Sequence, residues 1–367
     1  MQPASLAIDW QAARAEFPAL ENWTYLNTAT YGQMPRRGVE AATGHWERRE
    51  AFACADFLDW YEGVNGIRET IARLIGATPD DIAFLNTTSA VLSTMVNGLE
   101  WRPDDNIVTL GDEFPNQLYL PNVRPVPWEQ FYDAIDHRTR LVAISEVNYA
   151  TGFRAPVKEI ARLCRQRGVI LYVDGAQSVG ALKFDVRETP VDILGVHAYK
   201  WMCSPTAVGF MYIAPHMREK IRPTVVGWRS DRAWRNVDNL QHGAPVFKES
   251  AEKYEGGGLP FSLLDAMGAS AAWMNELGPD NIEQRVLELA ASARKRLRAL
   301  GAEAVDTGSQ IATAKFAGVD PSRLARELKA RRVIVAARHG FLRVSPHFYN
   351  NEADLDRLVE ELRPLLR

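Results

Sequence analysis

The chain has 367 residues, 46% hydrophobic and 24% charged, with a formal charge of -3. That is the makeup of an ordinary globular protein, long enough for one large domain plus a smaller one. Charges of both signs are mixed along the chain, which argues against a nucleic-acid or anionic-membrane partner.

Cys54, Cys164 and Cys203 are scattered without CxxC spacing, which argues against a disulfide framework or a cysteine-rich zinc site and fits a reducing compartment. The N-terminal stretch carries Asp9 early and lacks a basic segment followed by an apolar core. No run reaches the ~18 apolar residues of a membrane helix. A cytoplasmic protein that neither enters nor binds membranes is expected.

In chain order, Asp9 is a good N-cap for a helix ending near Glu16, and TYLN at 24–27 reads as a short strand. Helical patterns follow at 37–52 and 57–75. Strands and helices then alternate: DIAFL, a helix at 88–99, NIVTL, RLVAISEV, a helix at 157–167, VILYVD, DILGVH and GFMYIA. Such alternation predicts an α/β unit with a mainly parallel sheet flanked by helices.

After EGGG at 255–258 come helices at 260–276 and 280–300. Short strands IATAKFA, RVIVAA and FLRVS surround a helix at 321–331, and a last helix spans 352–366. The expected division is a large α/β domain over 20–255 and a smaller α+β domain formed by 1–19 and 256–367, with the N-terminal helix packed on the smaller one.

Ligands of open α/β sheets bind outside the carboxyl ends of the strands. The polar residues there are Asn86 to Ser89, Asp112 to Asn116, Glu146 to Tyr149, Asp174 to Gln177 and His197 to Lys200. Thr87 and Thr88 open a helix whose first N–H groups lack partners, which suits either a phosphate or simple capping. No Walker A lysine follows and no GxGxxG appears after a strand, so a nucleotide-dependent oxidoreductase is disfavoured.

Asp174 ends an apolar strand, and an ionised carboxylate there needs a cation. No histidine–carboxylate cluster accompanies it, so a metal is not expected and a protonated heterocyclic nitrogen is the other option. Lys200 sits between Tyr199 and Trp201 at the end of an apolar run. Its amine either snorkels past the aromatics or is covalently occupied.

Taken together, YLNTATYGQMP at 25–35, VDGAQSVG at 173–180, KWMCSPTAVGFMY at 200–212 and LRVSPHFYNNEADLDRL at 342–358 resemble the class V aminotransferases. These are fold-type I pyridoxal 5'-phosphate enzymes that include cysteine desulfurases, kynureninases and isopenicillin N epimerases. The resemblance spans nearly the whole chain. It implies that Lys200 forms the internal aldimine and then serves as proton-transfer base, and that Asp174 pairs with the pyridine nitrogen. Gln177 would lie near the ring hydroxyl, and Thr87, Thr88, His197 and Tyr199 would hold the phosphate. Phe114 would stack on the ring where desulfurases carry a histidine, and Arg343 would grip the substrate carboxylate. A large-domain sheet of the seven-stranded type and a homodimer with a shared active site are also implied.

Three departures limit the transfer. AARHGFLR at 336–343 is short and has no cysteine, Gly258 stands where many relatives have a threonine, and Tyr149 replaces an asparagine beside the ring. Candidate pocket residues are Asn27, Tyr31, Asn148, Tyr149, Trp228, Arg229 and His347, the aromatics being equally compatible with core. The expected substrate is a small amino acid, transaminated or cleaved at Cβ–S. An epimerase, a kynureninase-like hydrolase and a non-catalytic scaffold stay open, although a scaffold needs none of Lys200, Asp174 and Arg343.

Overall fold

The computed structural model describes residues 8–241 and 243–366. Residues 1–7, which belong to the expected smaller domain and to the N-terminal stretch read above, lie outside the described residues. Helix α1 (Trp10–Ala15) begins where the Asp9 carboxylate accepts from the N–H groups of Gln11 and Ala12, satisfying donors that a first turn leaves unpaired. Strand β1 (Thr24–Tyr25) precedes α2 (Arg36–Phe52) and α3 (Phe57–Leu74).

The alternating region supplies β2 (Ile82–Phe84), α4 (Thr88–Gly98), β3 (Asn106–Leu110), α5 (Pro115–Leu118), β4 (Val123–Val126), α6 (Phe131–Ala134) and β5 (Thr139–Ser145). It continues with α7 (Val157–Arg167), β6 (Ile170–Asp174), β7 (Ile193–His197) and β8 (Gly209–Ile213). Seven strands form one sheet in the order β2-β8-β7-β6-β5-β3-β4. Neighbours from β7 through β4 are parallel, while β8 runs antiparallel to both β7 and β2. Strands β6 and β7 are buried almost throughout, as expected where helices cover both faces of a parallel sheet. The register sets Ser145, Asp174 and Gly195 side by side. The carboxyl ends of β5 and β6 therefore lie level, with β7 running on past them to His197.

The rest of the chain contributes α8 (Phe261–Leu277), α9 (Pro279–Ala299), β9 (Ala312–Ala314), α10 (Pro321–Ala330), β10 (Val333–Ile334), β11 (Ala336–Arg338), β12 (Phe341–Val344) and α11 (Glu352–Leu362). Helix α8 packs on α2 and α3. A second apolar core joins Leu26, α9, α10, α11 and the antiparallel sheet β11-β12-β9. Strand β1 crosses to this layer and pairs in parallel with β10, and Asn27 bridges to Ser345. Helix α1 is tied there by Arg14, which donates to Asp354 at 2.7 and 3.0 Å and to the Tyr349 carbonyl.

Three expectations change in detail. RVIVAA divides into β10 and β11 around Val335, and the last α-helix stops at Leu362, continuing as a 3-10 turn to Leu366. Strand β4, α5 and α6 were not anticipated. The VRPV segment of β4 contains a proline and exposed residues, so it lacks the pattern of a buried strand. Among the described residues no helix is long and apolar enough to cross a membrane.

Candidate active site

The site starts from a backbone that has no freedom left. Past β7 the chain turns through 198–204, and every carbonyl from Ala198 to Cys203 receives a donor. Ala198 accepts from Ser204 N–H, Tyr199 from Gly32 N–H at 2.9 Å and Lys200 from Cys203 N–H at 3.1 Å. Trp201 accepts from His347 Nε2 at 2.7 Å, Met202 from Ser204 Oγ and Cys203 from Ser270 Oγ.

Two glycines allow this closeness. A Cβ on Gly32 would stand 1.8 Å from the Lys200 oxygen, and one on Gly180, whose φ is +98°, would stand 2.5 Å from the Trp201 carbonyl. His347 donates through Nε2 while its Nδ1 accepts from Phe348 N–H. Burial pushes this imidazole down to about 4, so it stays neutral, a core strut behind Trp201. It is not the pocket residue that the sequence suggested.

From this fixed backbone the Lys200 amine turns inward. It lies 5.7 Å from the Phe114 ring centre and 5.5 Å from that of Tyr199. Burial holds it down at about 8; Asp174 acts to raise it, and the charges of Arg343 and Arg338 to lower it. The snorkelling alternative does not describe this amine.

Asp174 ends β6, is 5% exposed, and accepts from Ala176 N–H at 2.9 Å. Burial raises its carboxyl, and Lys200, Asn116 and Thr88 oppose the rise. Beside it lies Glu113, which sequence reading passed over. Its carboxylate accepts from Ser145 N–H at 2.6 Å, Ser145 Oγ at 2.5 Å and Gln117 Nε2 at 2.9 Å. Burial nevertheless lifts Glu113 to about 7, and the nearby Asp174 charge adds to the rise. Only tertiary burial singles it out; in the sequence it is one polar residue of DEFPN.

At the other end Thr87 caps α4, its side chain accepting from Ala90 N–H at 3.0 Å, and Thr88 is buried beside Asn116. The N–H groups of this first turn have no intrahelical acceptors. His197 meets Tyr199 edge-on at 4.3 Å. Burial and the Lys200 charge push His197 down to about 4, so it offers a neutral donor or acceptor. Gln177 uses Nε2 on the Ala29 carbonyl at 3.0 Å and Oε1 on Trp201 Nε1 at 2.8 Å. One N–H of Nε2 is left for a ligand.

Strands β11 and β12 carry the arginines that face this space. Arg343, 1% exposed, donates to Thr30 Oγ1 at 2.6 Å, to Asn27 Oδ1 at 3.4 Å and to the Tyr149 carbonyl. Burial and the neighbouring Arg338 charge bring it down to about 9. Phe114 is 46% exposed and meets Tyr149 edge-on at 5.1 Å, and the Tyr149 hydroxyl bonds His339 Nε2 at 2.7 Å.

Two expected pocket residues are otherwise engaged. Asn148 spends its amide on the Asp112 carbonyl and on the N–H groups of Ala150 and Thr151, so it builds the loop beneath Tyr149. Arg229 is buried in ion pairs with Glu255 at 3.1 Å and Glu252 at 3.3 Å, under the glycine-rich segment, with Trp228 beside it. These two glutamate partners explain what a lone WRS in sequence does not.

A donor set of this kind suits pyridoxal 5'-phosphate. It combines an enclosed amine with a lowered pKa, a buried carboxylate short of a cation, a helix N-terminus for an anion, and Asn116 Oδ1 buried beside them without a partner. The fold, with a lysine and a carboxylate set at its strand ends, is that of the fold-type I pyridoxal-phosphate enzymes. Residues 56–358 match the family described as aminotransferase class-V, and the chain belongs to that family, whose enzymes use pyridoxal phosphate.

It is 28% identical to the isopenicillin N epimerase of Streptomyces clavuligerus over 97% of this chain and 98% of that one. It is 25% identical to a probable cysteine desulfurase of Methanothermobacter thermautotrophicus over 96% of this chain and 97% of that one. Among solved structures it resembles the cystine C–S lyase C-DES in complex with its product cysteine persulfide. There the TM-score is 0.86 at 22% identity, covering 95% of this chain and 99% of the other.

Proposed function

We propose that the protein acts on a free α-amino acid, by transamination or Cβ–S cleavage, with Lys200 as the residue that holds the cofactor and moves the Cα proton. When bound, pyridoxal phosphate supplies an aldehyde for amine condensation and a ring that draws electrons from Cα. Asp174 stabilises positive charge on the ring nitrogen, and Phe114 gives an aromatic face but no proton relay. Thr87, Thr88, His197 and Tyr199 would hold the phosphate, and Gln177 would serve the ring hydroxyl. Arg343 orients the α-carboxylate through its planar fork, with Asn27 and Tyr149 beside it. The observation that carries this reading is the depressed amine of Lys200 on an immobilised backbone at the carboxyl edge of the sheet that also buries Asp174.

The cysteines narrow the reaction. Burial pushes the Cys164 thiol up to about 12 and raises Cys203 further. The 339–340 turn, where the resemblance to cysteine desulfurases implies a loop bearing a cysteine, has only His339 and Gly340. If the reaction is Cβ–S cleavage, Cys164 and Cys203 are therefore too buried to take up the sulfur, and Cys54 lies far from the arginine hairpin in sequence. The test is spectroscopic. Purified protein given pyridoxal phosphate shows visible absorbance that borohydride bleaches, and Lys200→Ala abolishes the band while circular dichroism is retained. A wild-type protein that stays colourless overturns the reading. An amino-acid panel followed for keto acid, sulfide, pyruvate and optical rotation then separates transamination, lysis and epimerisation.

A cytoplasmic homodimer is part of the proposal. A cavity of about 650 Å³ beside α4, lined by Asn86, Ala90, Thr224, Val225 and Gly258 among others, offers room for a partner segment. Exposed Trp46, Phe52, Phe57 and Leu58 supply apolar surface near the helices α2 and α3. The division into a large domain over 20–255 and a smaller one from 1–19 and 256–367 is retained as a proposal as well.

A further inference from the structure

The β11–β12 hairpin turns on two residues, His339 and Gly340, with φ of +45° and +83°, the signature of a tight primed turn. Its register pairs Ala336 with Arg343 and Arg338 with Phe341. Paired residues share a face and side chains alternate, so Arg338 and Arg343 lie on the same face as diagonal neighbours. Both guanidinium groups reach one oxygen: Thr30 Oγ1 accepts from Arg343 Nη2 at 2.6 Å and from Arg338 Nη2 at 3.5 Å. The other bonds of Arg338 and Arg343 go to neutral acceptors, the carbonyls of Ala337 and Tyr149 and the Asn27 amide oxygen. Arg343 Nε is buried without a partner. Among the described residues neither the buried Arg343 nor the half-buried Arg338 forms an ion pair with a carboxylate, although the other buried arginines, Arg68, Arg229 and Arg294, do.

One α-carboxylate accounts for one of these cations. Two like charges converging on a hydroxyl, close enough for Arg338 to depress Arg343, leave a positive excess that a single carboxylate does not neutralise. We infer that Arg338 forms a second anion subsite, and that the substrate is an amino acid bearing a carboxylate, sulfinate or sulfonate on a short side chain. The shared hydroxyl sets the reach: the second anion lies one or two carbons from Cα, as in aspartate, glutamate or cysteine sulfinate. The inference rests on the pyridoxal-phosphate reading above and deepens it by naming the substrate class.

The experiment titrates holoenzyme with L-aspartate and L-glutamate against their amides, L-asparagine and L-glutamine, following the change in cofactor absorbance to obtain Kd. Each amide keeps shape and loses charge. Wild type is expected to bind the acids about tenfold or more tighter than the amides, since charge-assisted bonds are roughly twice as strong as neutral ones. In Arg338→Gln that ratio collapses towards one through weaker acid binding, and Arg338→Lys restores part of it. Wild type that binds acids and amides equally overturns the inference, as does an Arg338→Gln ratio equal to wild type. Retained cofactor absorbance in the variants shows that they fold. Wild type that never acquires the absorbance overturns the cofactor reading instead, and so the two failures are told apart.

Discussion

The lysine turn at 198–204 and the arginine hairpin at 336–343 face the same space and are built on opposite plans. In the turn every carbonyl from Ala198 to Cys203 is occupied, two glycines remove all slack, and a neutral buried histidine closes the back. In the hairpin the backbone is equally regular, yet its charged side chains end on neutral oxygens and one guanidinium nitrogen has no partner. The first arrangement fixes where a covalent bond can form. The second keeps charge in reserve for whatever binds. Positioning is achieved by satisfying polar groups, and recognition by leaving some of them for the ligand.

The contrast can be broken most severely at Gly32. In Gly32→Ala the new methyl meets the Lys200 oxygen at 1.8 Å, and overpacking against backbone costs about 3 kcal/mol. The expected outcome is a lower Tm and loss of cofactor absorbance; a variant with wild-type Tm and absorbance would show that the turn has slack. On the hairpin, Arg343→Lys keeps the charge and loses the planar fork. It is expected to cost about 2 kcal/mol, roughly 30-fold in KM, with cofactor absorbance retained. An unchanged KM would remove Arg343 from the carboxylate site.

A smaller effect sharpens the picture underneath both regions. The carboxyl of Glu113 is raised to about 7 in the folded protein, above its unfolded value, so the folded state holds the proton more tightly. Its contribution to stability is complete below about pH 4.5 and is lost as pH rises through about 7. Denaturation midpoints at about pH 5.5 and about pH 8.5 should show wild type losing about 2 kcal/mol more than Glu113→Gln over that interval. Parallel losses would mean that Glu113 is ionised throughout.

Much of this is legible in the sequence, for identifiable reasons. The runs ILYV and ILGV announce buried parallel strands, and a polar residue directly after such a run, Asp174 or His197, has nowhere to point but the strand ends. Lys200 stands out because it is flanked by Tyr199 and Trp201. Glu113 and Arg338 do not stand out, because Glu113 looks like a surface charge until long-range packing buries it, and Arg338 does until the hairpin sets it beside Arg343. Sequence reading picks out Arg343 and the missing cysteine in 336–343 and passes over Arg338, whereas the pairing of β11 with β12 turns these two arginines, five residues apart, into neighbours on one face. Arg229 and His347 mislead in the opposite sense. Their polar groups are consumed by Glu255, Glu252 and the Trp201 carbonyl, partners that only tertiary structure supplies. The α5, α6 and β4 segments are too short to carry a period at all.

The amine of Lys200, held at about 8 against an ordinary 10.5, has a further consequence at neutral pH. Roughly 300 times more of it is unprotonated than of a lysine on the surface. By protonation state it is the lysine of this chain most ready to condense with an aldehyde, that of pyridoxal phosphate included. Stray reactive carbonyls such as glyoxal would poison the same spot first.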